Sequence, residues 1–364
     1  MTGMRLALRA ALLALVVLAA VPAVAPARVL QSLTPSDRLA EGPLLAGNRV
    51  AWEETRCPSP GRCGFEADTR YRIRSFGPNG FRTLRSGRIR SLPGGSNSFF
   101  SSVSFELSPS RFVLARSEFG TTSEQDFAAE RLFAGDRNGG GLRQLFACAS
   151  DQQTVVSVCA LAGERVAYDP DPCDDRARIE VRDLGGGSTR TIDLGNGTLA
   201  DVALAGPFVA TVHGGNVRVH NANSGTELFA APLPPGTLHG IDVAADGRLA
   251  VSVGSQRIGR RTCWRSRLWL LAAGGSALEQ QTTAVPCWDA RLVRGGVVYL
   301  AGERRPLRLD RQTTGGASKT IVAFGDHRAR ENFDAQGARA AFAVGCGGRV
   351  RIRVVSVEGR SPAC

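Results

Sequence analysis

Arginine and tryptophan concentrate in the segment RIGRRTCWRSR, between positions 257 and 267. Guanidinium groups bind carboxylate or phosphate through paired hydrogen bonds, and an indole face stacks on sugars or on a guanidinium. Together with residues of the next predicted loops, the segment suits an acidic glycan or a phosphate-bearing polymer. The alternative is a solvated basic loop whose tryptophans cover a disulfide, and the abundance of arginine throughout the chain favours it. The candidate ligand-binding residues are Arg257, Arg260, Arg261, Trp264, Arg265, Trp288, Arg304 and Arg305.

A second cluster is the acidic loop YDPDPCDD, with Asp169, Asp171, Asp174 and Asp175. Closely spaced carboxylates can gather oxygen ligands around Ca²⁺, which makes calcium the one cofactor to consider. The loop lacks the spacing and the glycine of a helix-loop-helix calcium site. A surface loop paired with nearby arginines is therefore the favoured interpretation.

Catalytic motifs are missing from the sequence. No GxSxG turn is present, and the two carboxylates that a glycosidase needs on one cleft cannot be assigned. The glycine runs at 139–141 and 185–187 precede no Lys-Ser or Lys-Thr pair, so they predict hairpin turns and not phosphate loops. His213 and His220 lie at the ends of apolar strands, where we expect them to satisfy turns. We assign no catalytic residue.

The first residues have the pattern of a signal peptide. Arg5 and Arg9 precede the apolar run Ala10–Ala20, and small residues follow at 25–27. We expect cleavage after Ala27, which leaves residues 28–364 as the mature chain, with an uncleaved anchor as the alternative. Since Pro22 ends the apolar run early and no second run of spanning length follows, no membrane span is expected in the mature chain. The expected location is extracytoplasmic, secreted or associated with the cell envelope.

The chain is basic, with a formal net charge of +12. Such a charge favours anionic partners at low salt, although Lys319 is the only lysine and the arginines are spread throughout. Nucleic acid is disfavoured, because only three tyrosines and four tryptophans accompany the arginines and export removes the usual partners.

Short apolar strands preceded by small turns recur along the chain. Spacings of about forty to sixty residues fit a four-stranded unit, which is the signature of propeller blades. The seven occurrences are GNRVAW at Gly47, PSRFVL at Pro109, GERVAY at Gly163, GPFVAT at Gly206, DGRLAV at Asp246, GGVVYL at Gly295 and GARAAF at Gly337.

Two segments, AADGRLAVSV…SRLWLLAAGGSALEQQ and AGERVAYDPD…RIEVRDLGGGSTRTIDL, resemble the repeats of TolB-like (WD40-like) β-propellers. The repeats are degenerate: only Asp246-Gly247 keeps the Asp-Gly pair, and Trp288-Asp289 is misplaced for a WD40 signature. The resemblance implies an all-β fold, a single propeller domain over 28–364, and no particular function. Seven blades are expected, or six if the segment from Pro109 to Leu114 belongs to an elaborated neighbour. We expect the strand from Val29 to Leu33 to complete the last blade and join the ends of the ring.

Nine cysteines in short polar contexts indicate disulfides in an oxidising compartment. Zinc is disfavoured, because no CxxC pair occurs and the histidines lack ligand spacing. In a four-stranded meander, the turns from strand two to three share one end with the links between blades. Because most of the cysteines fall in these turns and links, they lie at one end of the ring. Their proximity there predicts the pairs Cys57–Cys63, Cys148–Cys159, Cys263–Cys287 and Cys346–Cys364, with Cys173 left over. A Cys159–Cys173 pair, which would free Cys148, remains open.

Three functions are compatible with these patterns. The first is a non-catalytic binding or scaffold protein that holds a protein partner or an anionic envelope polymer. The second is a lyase or hydrolase that processes polysaccharide or peptide at a site on the propeller axis. The third is a structural protein whose blades only mediate assembly.

Overall fold

The computed structural model describes residues 38–56, 69–89, 91–92, 98–121, 126–150, 158–257, 264–281, 286–301, 308–325, 329–346 and 349–364. Within these ranges the chain forms seven sheets, here called blades 1 to 7 in chain order. Blade 1 contains β1 (Arg38–Ala46), β2 (Arg49–Arg56), β3 (Thr69–Gly77) and β4 (Gly80–Ile89). Blade 2 contains β5 (Ser91–Leu92), β6 (Ser98–Leu107), β7 (Arg111–Thr121), β8 (Asp126–Asp136) and β9 (Arg143–Ser150).

Blades 3 to 5 have four strands each. Blade 3 contains β10 (Cys159–Ala162), β11 (Arg165–Tyr168), β12 (Arg176–Asp183) and β13 (Thr189–Asn196). Blade 4 contains β14 (Leu199–Ala205), β15 (Phe208–His213), β16 (Asn216–Asn221) and β17 (Glu227–Pro232). Blade 5 contains β18 (Thr237–Val243), β19 (Leu249–Arg257), β20 (Trp264–Leu271) and β21 (Glu279–Gln280).

The last two blades share the C-terminal segment. Blade 6 contains β22 (Pro286–Val293), β23 (Gly296–Ala301), β24 (Arg308–Thr313), β25 (Ser318–Ala323) and, added at its outer edge, β29 (Ser361–Pro362). Blade 7 contains β26 (Ala329–Gln336), β27 (Arg339–Cys346) and β28 (Arg349–Ser356). The strands within each blade are antiparallel, except that β29 pairs with β25 in parallel. The backbone oxygen of Cys364 accepts a hydrogen bond of 2.6 Å from Arg353 Nη1.

The predicted turn-and-strand units explain this architecture. Six of the seven lie at the turn between the first and second strands of a blade, and the seventh lies at the equivalent turn between β6 and β7 of blade 2. At Gly47 and Gly163 that turn needs a positive φ, which glycine adopts without steric cost. The strand that follows is apolar because both sheet faces are covered by neighbouring blades. In β23, for example, all six residues are buried.

Apolar side chains collect between blades and not inside a single central core. The described buried residues form seven clusters, and each cluster joins two adjacent blades. One of them packs Leu45, Val50 and Trp52 of blade 1 against Ile352 and Val354 of blade 7. The ring is therefore closed by the same kind of packing as every other junction.

The all-β, seven-bladed prediction is confirmed. The segment from Pro109 to Leu114 opens β7 within blade 2, so the six-blade alternative was wrong. The predicted closing strand from Val29 to Leu33 lies outside the described residues. Across the described part of the chain, no helix is both long enough and apolar enough to cross a membrane.

Candidate functional site on the propeller axis

The inner strands of the ring surround a cavity of about 1090 Å³ on the propeller axis. Residues from all seven blades line it, including the turns between first and second strands at Gly163, Gly206, Gly295 and Gly337. Those turns mark one end of the ring, which we call the open end. The opposite end, which carries Cys148, Cys173, Cys346 and Cys364, is called the disulfide end. The cavity extends toward the open end.

Four carboxylates on inner strands face this cavity, namely Glu106 of β6, Asp201 of β14, Asp242 of β18 and Asp334 of β26. Arg291 of β22 lies among them, and its Nε is 3.4 Å from Asp334 Oδ1. The axis of this basic protein is thus rich in acidic groups.

Three of these carboxylates connect neighbouring blades. Asp201 accepts a hydrogen bond from the backbone N–H of Ile241 at 3.0 Å, and Asp242 accepts one from Leu292 at 2.6 Å. Asp334 likewise accepts from Leu45 at 2.7 Å. In each case the donor lies on the inner strand of the next blade around the ring. These aspartates therefore hold the blades together, and Asp201 and Asp334 also accept a local backbone N–H with their other oxygen.

Glu106 differs from the three aspartates in its protonation. Burial and the nearby Asp334 carboxylate raise the pKa of Glu106 to about 8, although Arg291 opposes the shift. A carboxyl group with this pKa is largely protonated near neutral pH, and it can donate a proton. Cys159 also lines the cavity, and burial raises the pKa of its thiol, which disfavours the nucleophilic thiolate.

The sequence carries a signal for three of these residues, namely their place near the end of a strand. Glu106 and Asp242 each stand one residue before the end of an inner strand, and Asp334 stands two residues before it. An acidic residue at that position, just upstream of a small turn, recurs in blades 2, 5 and 7. The recurrence marks positions that face the axis.

The predicted arginine and tryptophan cluster is only partly within the described residues. Arg257 ends β19 and is the register partner of Trp264, which opens β20 next to Arg265. Trp288 lies in β22, and this strand contacts β20. Backbone geometry therefore brings these four positions to the disulfide end of blades 5 and 6. Arg260, Arg261, Arg304 and Arg305 lie outside the described residues, and ligand binding by the set stays a prediction.

The acidic loop of blade 3 is held by local bonds. Asp169 is buried, and its Oδ1 accepts from the Asp171 backbone N–H at 3.0 Å. Burial raises the pKa of Asp169 to about 6. Asp174 Oδ2 lies 3.5 Å from Arg178 Nη2, and Asp175 is exposed.

Within the described ranges, the potential metal-ligand cluster is not the set of four aspartates. It consists of Asp171 with Cys148 and Cys173, and the two sulfurs of that set are bonded to each other. Disulfide sulfurs are not the thiolates that bind metals. Calcium binding by the four aspartates remains a prediction.

One predicted disulfide is confirmed and one was wrong. Cys346 is bonded to Cys364, as expected. Cys148 is bonded to Cys173 instead of Cys159, with a Cα–Cα distance of 5.9 Å, and Cys159 is free. The alternative Cys159–Cys173 pair was wrong as well.

The physical reason for this pairing is the position of each cysteine in its sheet. Cys148 lies on β9, the outermost strand of blade 2, whereas Cys159 lies on β10, the innermost strand of blade 3. The loop after Tyr168 brings Cys173 back beside the outer strand. Cys57, Cys63 and Cys263 lie outside the described residues, so their pairing, including that of Cys263 with Cys287, stays a prediction.

Comparisons with known proteins find the fold and no family. No protein-family model matches the chain, and no curated protein matches it. Among solved structures, the β-propeller domain of the Trilobed protease from Pyrococcus furiosus, described as having an open velcro topology, matches with a TM-score of 0.54 and 10% identity. That match covers 87% of this chain and 95% of the other.

Two further structures match at a TM-score of 0.50. The Neurospora crassa Pan2 WD40 domain is 10% identical, with coverage of 89% of this chain and 91% of the other. A puromycin-hydrolyzing peptidase from Mycobacterium tuberculosis is 16% identical, and the match covers 86% of this chain but 52% of the peptidase. At these identities the likeness shows the WD40-like propeller fold alone.

Proposed function

We propose that this protein is a non-catalytic binding propeller that acts outside the cytoplasm and holds a protein partner or an anionic envelope polymer. The proposal rests on the hydrogen bonds that the axial aspartates form between neighbouring blades. Asp201, Asp242 and Asp334 each accept a backbone N–H from the next blade. Groups committed to joining blades support a rigid scaffold better than a catalytic centre.

The disulfide end supports binding for a second reason. The Cys148–Cys173 bond joins the edge of blade 2 to the loop after β11, and the Cys346–Cys364 bond holds the C-terminal segment on blade 7. Loops fixed before binding lose less conformational entropy when a ligand arrives. Disulfides of this kind also suit an oxidising, extracytoplasmic location.

The test uses the mature protein and the envelope fraction of the source cells across a salt series. A variant with Arg260, Arg261, Arg304 and Arg305 changed to Ala is compared with a control that loses the same charge from exposed arginines elsewhere, namely Arg131, Arg137, Arg143 and Arg360. Binding that weakens steeply with salt supports an anionic polymer. Its loss only in the first variant would place that polymer at the predicted arginine cluster. Salt-insensitive binding supports a protein partner, and absence of binding contradicts the proposal.

A second candidate function is a lyase or hydrolase of polysaccharide or peptide, and one observation favours it. Glu106, with its pKa raised to about 8, faces an axial cavity large enough for a substrate group. The measurement is turnover of envelope polysaccharide and peptide by the wild type and by Glu106→Gln. Turnover that disappears in the variant while binding persists would favour this candidate over the first.

A further inference from the structure

The β3–β4 hairpin of blade 1 concentrates positive charge. Between Thr69 and Ile89 the chain has no aspartate or glutamate, so this hairpin alone accounts for half of the net charge of +12. Like charges held this close repel one another unless an anion lies between them. The six arginines of the hairpin are Arg70, Arg72, Arg74, Arg82, Arg85 and Arg88.

The strand register increases this repulsion. Arg70 of β3 lies directly opposite Arg88 of β4. Like charges at directly opposite positions destabilise a strand pair. Arg74 is neutralised by the buried Glu54, at 3.3 Å, and its guanidinium lies 4.8 Å from the Phe81 ring centre.

Four other arginines of the hairpin lack such compensation. Within the described part of the chain, no carboxylate forms an ion pair with Arg70, Arg72, Arg82 or Arg85. The fold therefore holds a positive surface that its own described residues do not balance.

A recess of about 330 Å³ opens among three of these arginines. Arg70, Arg72 and Arg88 line it, together with Ser86, Gly87, the buried ring of Tyr71 and Glu54, whose carboxylate is already paired with Arg74. A Cβ at Gly87 would lie 2.7 Å from Tyr71 Cε1, so only glycine leaves room for that ring. Three guanidiniums around an open recess form a suitable site for one phosphate or carboxylate group.

We propose that the β3–β4 hairpin binds a linear anionic polymer, with one anionic group in the recess and further groups along the strands. The inference rests on the proposed function, because it locates a surface for the anionic partner. Arg70 and Arg72 are two residues apart, which separates their charges by about 7 Å along the strand and suits a polymer with charges at regular intervals. Arg82 and Arg85 are paired with Ser75 and Ile73, on the opposite sheet face from Arg72. A flat membrane could not reach both faces, whereas a flexible polymer can wrap the edge.

A purely structural role predicts a different behaviour. An arginine on the outer strand β4, such as Arg88, can serve to prevent pairing with another sheet edge, and lysine serves that purpose equally well. Recognition of phosphate by paired hydrogen bonds requires the guanidinium fork. Replacing Arg70, Arg72 and Arg88 by lysine therefore keeps the charge and removes the specific geometry.

The experiment measures binding of the full mature chain to inorganic polyphosphate, with neutral dextran as the reference polymer. The variant R70Q/R72Q/R88Q is compared with R131Q/R143Q/R360Q, which loses the same charge from exposed positions of blade 2 and of the segment before β29. We expect the first variant to bind polyphosphate about tenfold more weakly than the wild type. Its binding should also release about two to three fewer counterions, as read from the salt dependence of the affinity, whereas the control should bind like the wild type. The R70K/R72K/R88K variant should also weaken, and unchanged thermal unfolding shows that each variant is folded.

Equal losses in the two glutamine variants, or none in the first, would overturn the inference. Binding of the wild type to anionic lipid vesicles but not to polyphosphate would also overturn it, because a membrane would then be the partner. If the wild type binds neither polyphosphate nor the envelope fraction, the proposed function fails too. If the envelope still binds the R70Q/R72Q/R88Q variant normally, only the location inferred here is wrong.

Discussion

Asp334 Oδ2, on the inner strand of blade 7, accepts a hydrogen bond of 2.7 Å from the backbone N–H of Leu45, on the inner strand of blade 1, across 289 residues of sequence. The same type of bond joins blade 4 to blade 5 and blade 5 to blade 6. The junction between the two ends of the propeller is therefore built like its internal junctions.

We expect Asp334→Ala to destabilise the fold by about 1–3 kcal/mol, because the Leu45 N–H loses its acceptor in a partly buried position. Urea unfolding followed by tryptophan fluorescence measures the change. Glu279→Ala is the matched control, since Glu279 is an exposed carboxylate on an outer strand. Equal stability of the two variants would show that the bond does not contribute to ring closure.

The protonation of Glu106 makes stability depend on pH. Its pKa of about 8 lies above the ordinary value of 4.5, so the folded state holds an extra proton between these pH values. The stabilising contribution of the protonated form is complete below about pH 4.5 and is lost as pH rises through about 8. Glu106→Gln removes this term.

Thermal unfolding at pH 5.5 and 8.5 tests the effect of Glu106. We expect the wild type to lose more thermal stability than Glu106→Gln between the two pH values. Asp169, whose pKa is raised to about 6, contributes with the same sign in both proteins and cancels in the comparison. A parallel pH dependence in the two proteins would contradict the assignment.

Cys173→Ser should destabilise the protein by about 3–4 kcal/mol, because the lost bond closes a loop with a sequence separation of 25. Cys159→Ser is the control, since Cys159 is free and its replacement leaves the bond intact. Peptide mapping without reduction identifies the partner of Cys148 directly. Recovery of a Cys148–Cys159 peptide from the wild type would contradict the structure.

Residues 29–33 remain the predicted outer strand of blade 7, where the described part of the blade has three strands. Deleting these five residues should lower the denaturant midpoint, because the outer edge of β28 would lose its partner. As a control, Thr34 to Asp37 is replaced by a glycine-serine linker of equal length, which keeps the predicted strand. Identical midpoints for the deletion and the wild type would disprove the prediction.

Sequence alone predicted the blades because their signals are local. A small turn followed by a short apolar strand is visible within about six residues, and all seven such units occupy equivalent positions in the structure. The pairing of Cys148 with Cys173 was not predicted, because it depends on how the outer edge of one blade meets a loop of the next.

The sequence raised the possibility of a site on the propeller axis, but its residues were not predicted, for a similar reason. Glu106 is an ordinary polar residue of a strand until the ring buries it near Asp334, Asp201 and Asp242. Its pKa is raised first by that burial and then by the nearby carboxylates. The short β29 was also unexpected, because two residues carry no periodic signal and their partner lies in blade 6. Local patterns thus predict the strands, and long-range geometry determines the chemistry.

The C-terminal segment has a mechanical consequence. Cys364 is linked by its disulfide to Cys346 of β27, the middle strand of blade 7, while Ser361 and Pro362 pair with blade 6. A pulling force applied at Cys364 would enter the interior of one sheet through a covalent bond and be shared with its neighbour, instead of peeling β28 from the edge. A load applied at Cys364 is therefore carried by two blades and not by a single edge strand.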